Sequence, residues 1–439
     1  MKDLPPGPRS SIPSLIQYMR DPIGVMMPLV QKYGDPFTLP GKNPIVITGD
    51  PEGIKAIYTA DPDSFEPLNK DFGFFLGDRA LILLSGSEHK RARKLMMPPF
   101  HGQRMRAYGE QIIRLAREHS ANWRPGQTIP MMDVLLETSL DVILQAVFGV
   151  SDPARMKELT QLLHDIIDNT SPLLGMFPGL RKEFGGFGPY ARFVERKQRL
   201  NTFLQKLIAE RRAAGPQQDV LSLLIDAKTE DGEHMSDSDI RDQLVLLVVA
   251  GHETTAMSMG WCLYALHRAE NADVREKLLA ELATIERDTE PEKIAKWPYL
   301  DATCDESLRR FPLAPAPNPR KLLRPLTVKG YTLPAGVSVS AAIDAAHFRE
   351  QTYPEPMRFR PERFLERQYS PFEFLPYGGG SRRCLGAAMA SYEMRLVLAT
   401  LLSRFRLSLA SQRPDTGKVR MANSGPAHGV KMIVDEVNS

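Results

Sequence analysis

Cys384 is one of three cysteines in the chain, and it lies within Phe374–Gly386, FLPYGGGSRRCLG. Gly378, Gly379 and Gly380 permit positive φ angles and a close approach of backbone to another group. Beyond Gly386 the stretch AAMASYEMRLVLATLLSRF keeps apolar residues three and four apart, the spacing of a helix. That places Cys384 at or just before a helix N-terminus, where unpaired N–H groups favour thiolate over thiol. Arg382 and Arg383 act in the same direction. Such a thiolate could serve as a nucleophile, a redox thiol or a metal ligand. No Cys-x-x-Cys pair or cysteine-protease signature surrounds it, which weakens the first two roles.

Other chemistry-bearing residues are spread through the chain. Ala250-Gly251-His252-Glu253-Thr254-Thr255 falls inside Ser236–His267, the longest predicted helix, about 48 Å at 1.5 Å per residue. Ser236 and Asp239 form its capping box. Leu244 to Ala250 is apolar on every side, so burial is expected there. A glycine, an acid and two threonines in mid-helix lower helix propensity, and Thr can bond back to the preceding turn and bend it. Local rules broken inside a core mark function. A zinc-protease reading of His252-Glu253 fails, because the second histidine would stand at Ala256. Glu306 and Arg309 are spaced i, i+3 on a helix that Pro312 ends, and Pro361-Glu362-Arg363-Phe364 follows downstream. His89 and Arg93 are spaced i, i+4 on a helix that also carries Lys90, Arg91 and Lys94. A solvated basic face is the plain reading of that run.

The elements that position these residues are mostly helical. Helices are predicted over 22–33, 50–58, 103–123, 130–148 and 155–170, and from Gly188 onward. Short strands are predicted at Phe37–Leu39 and Ile45–Thr48, with a hairpin turning at Lys329-Gly330 and further strands near Met421–Ile433. The proline-rich start, Leu4 to Pro8, reads as extended surface backbone. Phe65 to Leu84 is an aperiodic apolar loop, either core packing or the wall of a ligand pocket. Residues 171–189, rich in Gly, Pro and large apolar side chains, read as a lid or access loop.

Tyr377, Gly378, Gly380, Arg382, Cys384, Leu385 and Gly386 fill the haem-binding pattern of the cytochrome P450 superfamily, which the chain resembles over essentially its whole length. One departure is Tyr377, where the family usually has Phe. The resemblance implies a mainly α fold with a smaller β-rich region, as a single domain over residues 1–439, with β-rich parts near 35–50, 320–345 and 405–435. Haem b would lie between the long central helix and the cysteine-loop helix, with Cys384 thiolate on its iron. It implies that His89, Arg93 and Arg320 bind haem propionates. Ala250 and Gly251 would make the oxygen groove, and Glu253 with Thr254 the acid–alcohol pair. Glu306, Arg309 and Arg363 would form a buried network holding the thiolate loop. Phe72, Phe75, Leu76, Leu174, Phe177, Leu247, Leu313, Ala316 and Pro317 would line the substrate pocket, together with Ala250.

The implied function is monooxygenation: hydroxylation or epoxidation of a hydrophobic small molecule with O2 and two electrons from a partner. Fatty acids, terpenoids, steroids and polyketides all suit an apolar pocket, and secondary metabolism is the expected setting. A ferredoxin or flavodoxin-type donor with its reductase is the implied partner. The alternatives are a peroxide-using haem-thiolate peroxygenase, an isomerase or dehydratase of the same fold, and a non-enzymatic haem sensor or carrier. The first two need no acid–alcohol pair, and the last explains neither that pair nor the apolar loops.

Composition agrees with a globular protein: 439 residues, 42% hydrophobic, 25% charged, net charge +3. A charge so near neutral gives no global case for nucleic acid or an anionic membrane surface. Three dispersed cysteines form no disulfide framework, which suits a reducing compartment. The longest apolar run, Leu244 to Gly251, is far below the ~20 residues of a membrane span. A cytoplasmic, monomeric enzyme of soluble bacterial type, with no membrane anchor, is expected.

Overall fold

A computed structural model describes residues 4–66, 73–98, 104–150, 152–167, 169–170, 174, 178–183, 185–217, 219–228, 232–286, 289–315, 319–420 and 423–438. The chain forms two compact units, each assembled from separated stretches. One comprises Met1–Glu66, Gly109–Thr138 and Thr254–Ser439, and the other Pro67–Tyr108 and Ser139–Glu253.

Among the described residues every strand belongs to the first unit. Strands β1 (Phe37–Leu39), β2 (Ile45–Thr48), β4 (Arg320–Lys321) and β7 (Ser338–Ala341) make one sheet in the order β1-β2-β7-β4. The β2–β7 pair is parallel and the other two are antiparallel, with Arg320 opposite Val339. Strands β5 (Leu326–Val328) and β6 (Tyr331–Leu333) form the predicted hairpin. Lys329 and Gly330 both take positive φ, 50° and 81°, as a tight hairpin turn requires. Strands β3 (Thr128–Pro130), β8 (Phe405–Leu409) and β11 (Lys431–Val437) make a second sheet, and β9 (Gly417–Arg420) pairs with β10 (Asn423–Pro426). Val46, Phe65, Leu322, Val328 and Val339 pack with Ile57 into the core that seats the first sheet.

Helices follow the predicted boundaries closely. Pro51–Thr59 begins where Asp50 Oδ1 accepts the Glu52 amide at 2.9 Å, with Pro51 at the first helical position. Pro298–Arg310, which carries Glu306 and Arg309, also opens on proline. Ala387–Arg404 starts three residues after Cys384 and buries Leu396, Val397, Leu398 and Leu401. Asp237–Leu266 is the long helix; Ser236 Oγ accepts the Asp239 amide at 3.1 Å, the predicted cap. Its first part, through Glu253, lies in one unit, and its remainder, from Thr254, in the other.

Two expectations need revision. Burial on every side of Leu244–Ala250 does not hold: Leu244, Leu247 and Val248 are buried, but Ala250 is exposed. The helix Ile12–Arg20 was not predicted, because its prolines and short length obscure the period. None of its residues is fully buried. In the second unit Gly86–Met96 carries His89 and Arg93, and Pro189–Ala214 is the long charged helix after Gly188.

Candidate active site

The cysteine loop is shaped by close contact with Tyr58, on helix Pro51–Thr59. Gly378 and Gly380 have φ of 65° and 62°, which side-chain-bearing residues rarely adopt. A Cβ on Gly379 would stand 2.2 Å from the Tyr58 ring, and one on Gly380 2.4 Å from the Tyr58 carbonyl oxygen. No residue but glycine fits either place. Within the loop the Gly378 amide donates to the Leu375 carbonyl (2.9 Å) and the Cys384 amide to the Tyr377 carbonyl (2.9 Å). The Tyr377 ring is held by its hydroxyl, 2.7 Å from Ser391 Oγ on Ala387–Arg404, and burial raises its pKa. Cys384 emerges exposed from this frame, whereas Cys262 and Cys304 are buried. Gly386 takes the N-cap position of the following helix.

Glu306, Arg309 and Arg363 form a buried ion network. Arg309 grips Glu306 through two bonds, Nε to Oε2 at 2.7 Å and Nη2 to Oε1 at 2.9 Å. Arg363 Nε stands 3.1 Å from the same Oε2 as an ion pair without hydrogen-bond alignment. One carboxylate between two guanidiniums leaves an excess positive charge, which backbone carbonyls offset. Arg309 donates to His347 O and Pro356 O, both at 2.8 Å, and Arg363 to Pro354 O (3.2 Å) and Arg358 O (3.3 Å). The three residues paired by sequence spacing and motif are thus brought together.

Arg320 sits on β4, its guanidinium 3.5 Å from the centre of the Phe65 ring. Burial, then repulsion from Arg382, pulls its pKa down to about 10. Two cations crowded in this way favour an anionic group between them. Tyr58 is pushed up to about 12 by burial, against the pull of Arg320. In the second unit His89 is buried and Arg93 half-buried, while Lys90, Arg91 and Lys94 on the same helix are exposed.

Along the long helix, Ala250 is exposed and Gly251, Glu253 and Thr254 are half-exposed, amid buried Val248, Thr255 and Ala256. This accessible stripe coincides with the sequence break. A Cβ on Gly251 would lie 3.0 Å from Ile143 Cδ1. His252 turns back on its own helix, Nδ1 donating to Val248 O at 3.1 Å. The Thr254 carbonyl accepts the Ser258 hydroxyl at 3.0 Å. Of the apolar candidates, Phe75, Leu76, Leu174 and Leu247 are buried and Leu313 is half-exposed. Phe75 stacks on Phe193 (6.1 Å) and, with Leu76, Val245 and Val249, borders a cavity of about 10 Å³. Phe72, Phe177, Ala316 and Pro317 lie outside the described residues. Sequence reasoning missed Tyr58, whose only signal was an aromatic on an early helix, and it missed His347.

The chain matches the cytochrome P450 family over residues 5–424. It is 35% identical over 443 residues to the protein designated cytochrome P450 135A1 in Mycobacterium tuberculosis, covering 98% of this chain and 94% of that one. It is 33% identical over 442 residues to cytochrome P450 135B1 of the same organism, covering 98% and 91%. Among solved structures, it superposes on retinoic-acid-bound cyanobacterial CYP120A1 with a TM-score of 0.82 at 23% identity, covering 99% of each chain. The haem domain of cytochrome P450DA gives a TM-score of 0.80 at 22% identity, covering 99% and 97%. The protein is a haem-thiolate monooxygenase by class. The chain belongs to the cytochrome P450 family, whose members bind haem iron through a cysteine thiolate.

The residues present fit that cofactor. Cys384 offers an accessible sulfur at a helix N-terminus, and the Arg320–Arg382 pair offers the charge that haem carboxylates need. Among the described residues no helix is long and apolar enough by itself to cross a membrane.

The Tyr58 contacts generate a test. Gly380→Ala forces both a positive φ and a clash with the Tyr58 backbone oxygen in the last turn of helix Pro51–Thr59, at a cost of about 1–3 kcal/mol or more. Lower haem content and a lower melting temperature of the purified protein are expected. Wild-type values in both would refute the contact.

Proposed function

We propose that this monooxygenase hydroxylates or epoxidises a hydrophobic small molecule, with Cys384 as the iron ligand and the whole chain acting as one catalytic domain. The observation that carries the assignment is the exposure of Cys384 in a loop that only glycines can form, beside mutually repelling Arg320 and Arg382. Haem held there supplies the activation of dioxygen and the insertion of oxygen into the substrate.

The protein's own groups bind, position and deliver protons. His89, Arg93, Arg320 and Arg382 hold the haem carboxylates. Tyr377, Gly378 and Gly386 keep the loop close enough for the thiolate to reach iron. Ala250 and Gly251 leave room on the accessible stripe of the long helix. The Thr254 hydroxyl donates a hydrogen bond there, and the Glu253 carboxylate passes protons to it. Glu306, Arg309 and Arg363 hold the loop from below. That acid–alcohol pair favours monooxygenation over the peroxygenase and carrier readings.

The apolar set Phe75, Leu76, Leu174, Leu247, Ala250 and Leu313 supports a fatty acid, terpenoid, steroid or polyketide substrate, of the kind met in secondary metabolism. Electrons come from a ferredoxin or flavodoxin-type protein and its reductase, and exposed Lys90, Arg91 and Lys94 suit an acidic donor. A cytoplasmic monomer is the accompanying proposal.

Cys384→Ala is expected to abolish the thiolate-type absorption band of the reduced carbonyl complex near 450 nm; survival of that band would disprove the ligand. Thr254→Ala is expected to lower product formed per NADPH and raise hydrogen peroxide. An unchanged ratio excludes the proton-delivery role. Titrating ferric enzyme with fatty acids, sesquiterpenes, steroids and macrolides should give a saturable high-spin Soret shift with one class. No shift from any class would count against a small free apolar substrate.

A further inference from the structure

His347 ends the short helix Ile343–His347, between β7 and the proline-rich segment 354–361 that carries Pro354, Pro356 and Pro361, and it is fully buried. Its contacts with Arg309 are reciprocal. Arg309 Nη1 donates to the His347 carbonyl at 2.8 Å, and His347 Nδ1 donates to the Arg309 carbonyl at 3.2 Å. The second ring nitrogen points elsewhere: Nε2 accepts the Leu375 amide at 3.0 Å. Phe374 stacks on the imidazole at 5.5 Å, with 28° between the planes, and Tyr353 meets its edge at 6.3 Å. Leu375 lies in the cysteine loop one place after Phe374, whose amide donates to the Ser370 carbonyl at 3.0 Å. Its carbonyl accepts the Gly378 amide, and the Tyr377 carbonyl accepts the Cys384 amide, each at 2.9 Å.

We propose that His347 is the positioning residue that transmits the Glu306–Arg309 network to the cysteine loop, through the acceptor Nε2 on the Leu375 amide. The inference rests on Cys384 being the haem ligand. The motif pairing alone gives the network no direct bond to the loop: among its bonds, Arg309 and Arg363 reach carbonyls of residues 347 and 354–358, all upstream of Phe374. His347 supplies the missing link. Its role requires a neutral ring with the proton on Nδ1, and the surroundings enforce that form. Burial first, and the Arg309 charge second, lower its pKa to about 3. A carbonyl on one side and an amide on the other then fix the tautomer.

The two nitrogens can be tested separately. An asparagine amide overlays Nδ1 and a glutamine amide overlays Nε2. His347→Asn keeps a donor for Arg309 O and strands the buried Leu375 amide; His347→Gln keeps an acceptor for Leu375 and gives up the Arg309 bond. Each variant loses one hydrogen bond, so a merely structural role predicts matching losses. The holoproteins would be compared by hydrogen exchange of the peptide spanning Phe374–Tyr377 and by the reduced carbonyl spectrum. In His347→Asn, exchange at Leu375 should rise by about tenfold or more, and the thiolate-type band of the reduced carbonyl complex should weaken. In His347→Gln both should stay near wild type, even where the melting temperature falls as far as in His347→Asn.

Wild-type exchange and spectrum in His347→Asn would overturn the proposal. Equal loss in both variants would overturn it too, leaving His347 a packing residue. Absence of a 450 nm band from the wild-type protein would instead remove the Cys384 assignment, so the two failures are distinguishable.

Discussion

One buried carboxylate facing two buried guanidiniums is the constraint on which the surroundings of the cysteine loop depend. Glu306 and Arg309 are completely shielded from solvent and Arg363 nearly so. Desolvating three charges is costly, and removing any one leaves the others buried and unpaired. The surplus positive charge makes fixed backbone carbonyls a requirement. The carbonyls of His347, Pro354, Pro356 and Arg358 answer it, so the proline-rich segment is locked at several points. Its stiffness and the network's charge balance are two aspects of one arrangement. Arg360 adds a further tie, its amide donating to Glu306 Oε1 at 2.8 Å.

The cysteine loop solves a different problem, which is steric. A sulfur that must approach a flat cofactor needs backbone on its own side to be thin. Glycine supplies that thinness where Tyr58 presses against Gly379 and Gly380. Tyr377 replaces the family's usual Phe without disturbing the frame, because its hydroxyl finds Ser391 and does not remain unpaired in the core. The long helix shows the reverse strategy. Gly251 and Thr254, both weaker helix formers, are tolerated within a 30-residue element, and an accessible stripe runs over Ala250, Gly251, Glu253 and Thr254.

Much of this was legible in the chain itself. Strands β1 and β2, the hairpin turn at Lys329-Gly330, the cap at Ser236 and the helix carrying Glu306 and Arg309 are fixed by short-range signals: alternation, capping side chains, prolines and positive-φ glycines. The exposed helix Ile12–Arg20 escaped because it buries no residue fully and so carries little core pattern. The apolar run Leu244–Ala250 suggests burial on every side, yet the same run holds Ala250, which the resemblance sets in an open groove and which is exposed. Phe75 was equally a core or a pocket residue by sequence; its stacking on Phe193 is a matter of which helix lies beside it.

The sequence by itself determined the chemistry available. The Cys384 loop, the Glu306–Arg309 spacing and the Glu253–Thr254 break each reside within a few residues, where local geometry allows few alternatives. Only the tertiary structure decided who completes them. Tyr58 fills the glycine cradle, Ser391 takes the Tyr377 hydroxyl, and His347 joins Arg309 to Leu375. These partners are distant along the chain and of ordinary residue types. What selects them is the packing of one element against another, which leaves no periodic trace in the residues that make the contact.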